Sequence, residues 1–473
     1  MHVSLKNTLR PTSVATFLML AVAVVVGVVT PVMVNLMDGK LSKLAAIPAV
    51  LLLGFLLLFD RKLMMLLIVL LRASGDLFLS QTRFNLGGAA LGVGGLINAA
   101  VILIALLMII EKPKAVPAYA YFAWLPFLLL ALGEVYFAPA KGDALRYWLT
   151  QVSFFAMFVC AYHFVKTRED FIYCVKLVLW SSLFPILYCV VDIGLNHAHN
   201  NNGDGFRLQS TFGHPNILAF YVTLLISLAF YMLKNLPSGN VPGRGGNTAN
   251  YYRVFYTLYI LVLLGALVLT KTRSAWIACL TGFLLYGIFF ERRYLVYLLV
   301  GGVLATMLPE VRDRLGDLFQ GNHVGGYAQL NSFAWRVYLW KSGLNWMQPS
   351  HYLFGYGLSN FQALSQQFFP LAGPMKWGAH SVYVQWIFEL GVVGFLAYLW
   401  TYARILVQLR HMIKFDKLAA FWLIVVVINF LICAASDNMI DYLSFNWYLW
   451  FIVGAGCAVV RVDPASNESA ARH

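Results

Sequence analysis

The sequence predicts an all-α polytopic membrane protein, a bundle of about 12–14 transmembrane helices with one long structured loop on the external face. Three observations predict it. Of the 473 residues 60% are hydrophobic and only 11% charged, whereas an ordinary soluble domain carries about 25% charged residues. Apolar runs of about 20 residues, each long enough to cross a bilayer, recur from end to end. The excess of 34 Lys and Arg over 20 Asp and Glu, a net charge of +14, falls in short clusters between those runs. That placement describes topology and attraction to anionic lipid headgroups, not a nucleic-acid partner.

Fourteen spans can be marked, at about 14–36, 44–59, 63–79, 88–110, 117–137, 146–165, 171–194, 214–233, 254–270, 274–290, 294–308, 381–403, 418–435 and 443–460. The first is too long for a signal-peptide core and lacks a small-residue cleavage site, so it reads as a retained span. Arg72 and Asp76 make the third weak. With Lys6 and Arg10 on the cytoplasmic side, alternate connections hold 19 basic residues against eight on the opposite short connections. This bias puts both termini in the cytoplasm. The six cysteines lie in or beside apolar runs without a C-x-x-C pair, and read as core or lipid-facing thiols.

The resulting organisation is 1–236, N-terminal transmembrane helices; 237–250, a Gly, Pro, Ser and Asn-rich cytoplasmic linker; 251–308, further transmembrane helices; 309–379, the external loop; 380–460, C-terminal transmembrane helices; and 461–473, a cytoplasmic tail. In the external loop, residues 334–347 (AWRVYLWKSGLNWM) can place Trp335, Leu339 and Trp346 on one helical face while Arg336 and Lys341 snorkel. Such a helix suits the membrane surface. A loop of this length with structure of its own is more often functional than a connector.

Polar residues collect beside the membrane on the external face. Residues 197–216 (HAHNNNGDGFRLQSTFGHPN), 271–276 (KTRSAW) and 376–394 (KWGAHSVYVQWIFELGVVG) all border that compartment. Arg273 falls abruptly at the end of an apolar run, where an unmatched charge costs a few kcal/mol. It is either a snorkelling anchor or a site residue. Arg207, in a Gly/Asn-rich loop, reads by itself as solvated, and His380, at a helix start, as a capping or packing residue. A neutral imidazole there is also able to accept a proton from a sugar hydroxyl. Glu389, nine residues on, reads as pairing within the bundle, and Asp437 and Asp441, four apart, as sharing a helical face at the external end of the thirteenth span. Trp377 and Tyr383 are aromatic candidates for stacking on sugar rings. There is no Walker A loop, no G-x-G-x-x-G after a strand, no H-E-x-x-H and no D-x-D triplet. His197, His199 and Asp204 have zinc-like spacing, but the adjacent asparagines point to a flexible polar loop. No metal and no cofactor is expected.

In these segments the sequence resembles the O-antigen ligase and Wzy-type polymerase superfamily. The resemblance covers about residues 200–400. It is carried by FRLQSTFGHPNILAFY at 206–221, TRSAW at 272–276, WRVYLWKSGLNWM and LFGYGLSNF in the external loop, and the run from His380 through Glu389, Gly391 and Gly394. Ser381 stands where many members have Asn, and fourteen spans exceed the dozen usual in ligases.

The resemblance implies a metal-independent, inverting glycosyltransferase of a bacterial inner membrane. Its donor is a polyprenyl-pyrophosphate-linked glycan and its acceptor a glycan or a lipid A core. Arg207 and Arg273 would hold the pyrophosphate, and His380 would deprotonate or position the acceptor hydroxyl. Arg336, Asp437 and Asn438 are further candidates for substrate contact or loop anchoring. Polymerase, ligase and protein-directed transferase share this donor chemistry; the long chain and extra spans favour a polymerase. Partners would then include membrane lipids and a chain-length regulator or other assembly proteins. The rival class is a lipid-linked oligosaccharide flippase, which should carry charges near the bundle midplane and repeat symmetry; here charges gather at one face and no repeat is evident.

Overall fold

The computed structural model describes residues 46–76, 79, 84–86, 89–195, 206–236, 246–316 and 330–460. The first span and the His197, His199 and Asp204 triplet lie outside the described residues. The chain forms two units, 1–64 with 77–100, and 65–76 with 101–473. The described part of the first contains α1 (Ala46–Phe59) and two three-residue strands, β1 (Phe84–Leu86) and β2 (Ala89–Leu91), paired antiparallel with Asn85 opposite Ala90.

Among the described residues all other regular structure is helical. After α2 (Arg61–Leu71) come α3 (Val93–Glu111), α4 (Ala118–Glu134), α5 (Lys141–Phe164), α6 (Arg168–Trp180), α7 (Leu183–Leu195), α8 (Pro215–Lys234), α9 (Gly246–Leu269), α10 (Arg273–Phe289) and α11 (Arg293–Ala305). The external loop carries α12 (Pro309–Gly316), α13 (Ser332–Trp346) and α14 (Asn360–Phe368), followed by α15 (Val382–His411), α16 (Lys417–Ala434) and α17 (Leu443–Val459). Among the described residues seven helical segments are long and apolar enough to cross a membrane, and four shorter apolar helices accompany them. This is a multi-pass helical membrane protein.

The differences from the sequence reading have physical causes. The third span stops at Leu71 because Arg72 and Asp76 form an ion pair of 2.7 Å beyond it; eleven residues rise only about 16 Å. The seventh breaks into α6 and α7 at Ser181 and Ser182, whose hydroxyls bond the Tyr221 and Tyr259 hydroxyls at 2.6 Å. Helix α9 begins at Gly246, inside the segment read as linker. The six cysteines are free and buried.

In the second unit α8 and α17 are buried on nearly every face, as expected of helices that are apolar all round. Helix α17 lies so close to α5 that a Cβ on Gly454 would stand 2.4 Å from the Phe158 carbonyl oxygen. Outer helices such as α9 and α11 expose Leu258, Leu261, Val296 and Leu299, a surface suited to lipid.

Two polar clusters mark the ends of α8. At its C-terminal end Lys234 pairs with Glu291 at 2.6 Å, and Arg168 pairs with Asp416 at 2.8 Å while donating to Asn235. At its N-terminal end stand His214 and Asn216. Twenty residues of helix separate them, about 30 Å, the thickness of a hydrocarbon core.

The external loop is fastened to α15 through its backbone. Gly391 has φ 66° and ψ −172°, a conformation essentially restricted to glycine, and it interrupts the helical ladder. Residues 352–357 supply the missing partners. Tyr356 and Gly357 donate to the Phe388 and Glu389 carbonyls at 3.0 and 2.9 Å, and Val392 and Val393 donate to the Tyr352 and Leu353 carbonyls at 2.8 and 3.1 Å. Gly355 allows the approach: its Cβ would lie 2.4 Å from the Glu389 carbonyl carbon. Glu389 adds a carboxylate that accepts from the Phe361 amide at 3.2 Å and from Gln385. Its hydrogen bonds therefore anchor the loop, whereas the sequence had suggested pairing inside the bundle.

Gly391→Ala should be severely destabilising, because a Cβ would sit 2.2 Å from the Leu353 oxygen and the backbone strain alone is worth about 1–3 kcal/mol. Thermal unfolding of the detergent-purified protein should show a large drop in Tm, or no recoverable folded protein. Glu389→Gln, which keeps an acceptor oxygen, should fall far less than Glu389→Ala.

Candidate functional site

Three segments meet at the N-terminal end of α8. The first, 206–216, is held down by Asp192, whose carboxylate accepts from the Ser210 amide at 2.7 Å, while Leu208 donates its amide to the Leu269 carbonyl at 3.0 Å. Arg207 is thereby brought beside the start of α10. Its Nε donates to the Thr270 carbonyl at 3.0 Å, and its terminal nitrogen donates to Asn216 Oδ1 at 2.9 Å and to the Thr272 hydroxyl at 3.3 Å. Arg207 is not the solvated loop residue that its neighbours in sequence suggested.

The second segment is the turn before α10. Thr272 is buried and donates its hydroxyl to Asn216 Oδ1 at 3.1 Å. Arg273 follows directly as the first residue of α10 and is half-buried. Arg207 and the backbone of Arg273 thus share one network through Thr272.

The third segment is the link between α16 and α17. Helix α16 ends at Ala434, and Asp437 and Asp441 lie beyond it, Asp441 in a 3₁₀ turn, so they do not share a helical face. Asp437 is buried and its carboxylate is fully engaged. One oxygen accepts from Asn216 Nδ2 at 2.5 Å, the other from the Tyr442 hydroxyl at 2.6 Å and the Asn438 amide at 2.9 Å. Asn438 also contacts the external segment: a Cβ on Gly378 would meet its Nδ2 at 2.9 Å.

The external loop closes this assembly. Arg336 donates to the Ser436 carbonyl, so it is neither lipid-facing nor snorkelling. The apolar face of α13 does not lie on a membrane surface either; Trp335, Leu339 and Trp346 pack in a cluster with Phe361, Phe368, Phe369 and Phe388. An amphipathic pattern demands an apolar partner without saying which, and here the loop and α15 provide it. Trp377 packs edge-on against Trp335 and donates to the Ala372 carbonyl, while Tyr383 donates to the Leu431 carbonyl at 2.6 Å.

His380 stands between the loop and α15. Trp340 donates to the Ala379 carbonyl at 2.6 Å, Trp335 lies edge-on to the imidazole with 5.9 Å between centroids, and Ser381 caps α15. The residue itself has φ 49°. Ser210 and Lys271, beside Arg207 and Arg273, also have positive φ. Such conformations persist where surrounding contacts enforce them, commonly around functional sites.

The electrostatics tie the parts together. His380 is lowered to about 4, first by desolvation and then by the nearby Arg336 charge, against an opposing pull from Asp437. His214, which the sequence reading did not single out, is lowered by desolvation too, and also feels Asp437, Arg207 and Arg336. It is exposed by surface area yet surrounded by enough protein to be desolvated. Its Nδ1 accepts from the Asn216 amide at 3.1 Å, which leaves Nε2 to carry the proton of the neutral ring. The motif GHPN hides both residues as ordinary helix-start signals, a cap followed by Pro at the first helical position.

The arrangement gathers, at one end of a multi-pass bundle, neutral imidazoles near permanently charged guanidiniums and a carboxylate, Asp437, that accepts from neutral donors. Residues 258–399 match the family model described as O-antigen ligase. That match supports the superfamily which the motifs resemble, and it contains Arg273, Arg336 and His380; Arg207, Asp437 and Asn438 lie outside it. No curated protein matches the chain. Among the described residues no group of three or more His, Cys, Asp or Glu is placed to hold a metal ion.

The depressed His380 has a consequence for stability. Its folded value, about 4, lies below the ordinary 6.5, so between those pH values the unfolded chain binds a proton that the folded chain does not. Stability is complete above about pH 6.5 and falls as pH drops toward 4. Melting curves from pH 7 to 4.5 should show a steeper decline for the wild type than for His380→Gln.

Proposed function

We propose that the protein is a membrane glycosyltransferase that moves a polyprenyl-pyrophosphate-linked glycan onto a sugar hydroxyl at the external face of a bacterial inner membrane. The observation that carries this reading is the convergence of Arg207, the Thr272–Arg273 turn, Arg336, Asp437 and His380 at one end of α8, about one membrane thickness from the Arg168 and Lys234 cluster. The positive-inside rule assigns the Arg168 and Lys234 end to the cytoplasm. The Arg207 and His380 end then faces the external side, where no nucleotide sugar is available and the donor must carry its own activation.

In the reaction the acceptor oxygen bonds to the anomeric carbon from the face opposite the leaving group. The anomeric carbon–oxygen bond breaks, and the electron pair leaves with the lipid pyrophosphate. Arg207 and Arg273 stabilise the charge growing on that pyrophosphate through planar, permanently charged forks. Arg207 is preorganised for this by Thr270, Thr272 and Asn216, and Asp437 holds Asn216 in turn. His380, neutral at pH 7, accepts the acceptor's proton. A base lowered to about 4 is weak, but an incoming pyrophosphate beside it raises its proton affinity, so basicity develops when donor is bound. Asn438 beside Gly378 contributes to sugar contact, and Arg336 anchors the external loop over the site. No step needs a metal.

The acceptor distinguishes a polymerase, which extends repeat units, from a ligase, which transfers to a lipid A core. Complementation with Arg207→Ala, Arg273→Ala and His380→Ala tests the proposal, with each variant checked for wild-type expression. Each should lower glycan output at least about 100-fold, the scale of losing a transition-state donor or a general base. Single repeat units remaining on a gel identify a polymerase, and intact lipid-linked polymer without core attachment identifies a ligase. Normal output from all three variants overturns the proposal.

A further inference from the structure

A second charged feature lies far from that site, on the outward face where α4 meets α15. Pro126 within α4 has no N–H, so the Phe122 carbonyl loses its helical partner. Helix α15 replaces it: Trp400 Nε1 donates to the Phe122 oxygen at 2.9 Å, and the Thr401 hydroxyl donates to the Ala123 oxygen at 2.8 Å. This fixes the two helices around a crevice of about 430 Å³ lined by Phe122, Pro126, Trp400 and Arg404. Phe122 and Trp400 are exposed, 66% and 47%, so the wall faces out of the bundle.

Arg404 sits at the mouth of an otherwise apolar crevice. Its guanidinium carbon lies 5.4 Å from the centre of the Trp400 ring. Its Nε is enclosed and has no hydrogen-bond partner, and the guanidinium makes no ion pair among the described residues. A permanent charge with five donors at the end of a spanning segment, in an apolar crevice, is costly unless it snorkels or meets an acceptor. The acceptor that a bilayer offers at such a place is a lipid phosphate.

We propose that this crevice binds a phospholipid, its acyl chain against Phe122, Pro126 and Trp400 and its phosphodiester at Arg404. Exposed Lys112 and Lys114 precede α4 at the same end of that helix and add cationic character to the surroundings. The opposite end of α4 meets the external loop, where the Leu358 amide donates to the Glu134 carbonyl. Arg404 is therefore roughly 30 Å of helix away from His380, and its ligand is a bilayer lipid rather than the glycan donor. The proposal does not rest on the transferase reading.

The test is native mass spectrometry of the delipidated full-length protein in a neutral detergent, titrated with phosphatidylglycerol, with a diacylglycerol of the same chains, and with inorganic phosphate. The wild type should retain one phosphatidylglycerol in strong preference to diacylglycerol. Arg404→Ala should weaken that binding about fivefold, the scale of one basic residue at a lipid surface, with Arg404→Lys in between. Because Arg404→Ala risks misfolding, Phe122→Ala serves as a second variant: it should weaken long-chain phosphatidylglycerol and leave a short-chain analogue unchanged. Wild-type affinity in both alanine variants overturns the proposal. So does equal retention of diacylglycerol, or inorganic phosphate competing as well as phosphatidylglycerol. Preferential retention of an added polyprenyl pyrophosphate would assign the crevice to the donor and overturn it as well.

Discussion

A backbone group left unpaired in hydrocarbon costs several kcal/mol, and the break at Gly391 satisfies that constraint with partners from a distant loop. The Phe388 and Glu389 carbonyls and the Val392 and Val393 amides all bond residues 352–357. The loop cannot leave without exposing them. Its dense aromatic cluster, with Phe388 among its members, adds an apolar reason to stay. The position of His380 follows, because Trp335 and Trp340 of the fastened loop flank it.

The second organising feature is the single carboxylate of Asp437. It accepts from three neutral donors: Asn216, the Asn438 amide and the Tyr442 hydroxyl. It therefore spends its hydrogen-bonding capacity on geometry, fixing the start of α8 against the link before α17. A common environment explains why both histidines remain neutral: each is desolvated and each feels Arg336.

Much of this was legible in the sequence, and for identifiable reasons. Helical spans announce themselves by length, and positive clusters by their alternation. Arg207, Arg273 and His380 stand out because polar motifs interrupt apolar runs. The third span and α13 were misread because the local pattern does not say what lies opposite: a charge pair ended one, and protein rather than lipid covered the other. The Gly355 and Gly391 pairing is invisible in one dimension, since each glycine reads as an ordinary turn or packing residue until 36 positions of chain are folded back. His214 and Asn216 were missed because their capping role disguised their place in the site.

The two ends of α8 each gather charged side chains, and their separation bears on how the bundle sits in a membrane. At the far end of α8, Arg168 and Lys234 meet Asp416 and Glu291 directly, and Glu291 is lowered to about 2 by its hydrogen bonds to Lys234, Tyr286 and Arg293, which outweigh its desolvation. These are closed pairs, structural ties between helix ends. At the near end Arg207 donates to the Thr270 carbonyl, Asn216 and the Thr272 hydroxyl, and Arg336 to the Ser436 carbonyl. A helix of about one bilayer thickness separates the two clusters, so under the proposed function an anionic headgroup carried in one leaflet meets the Arg207 and His380 end while its lipid tail remains in the membrane.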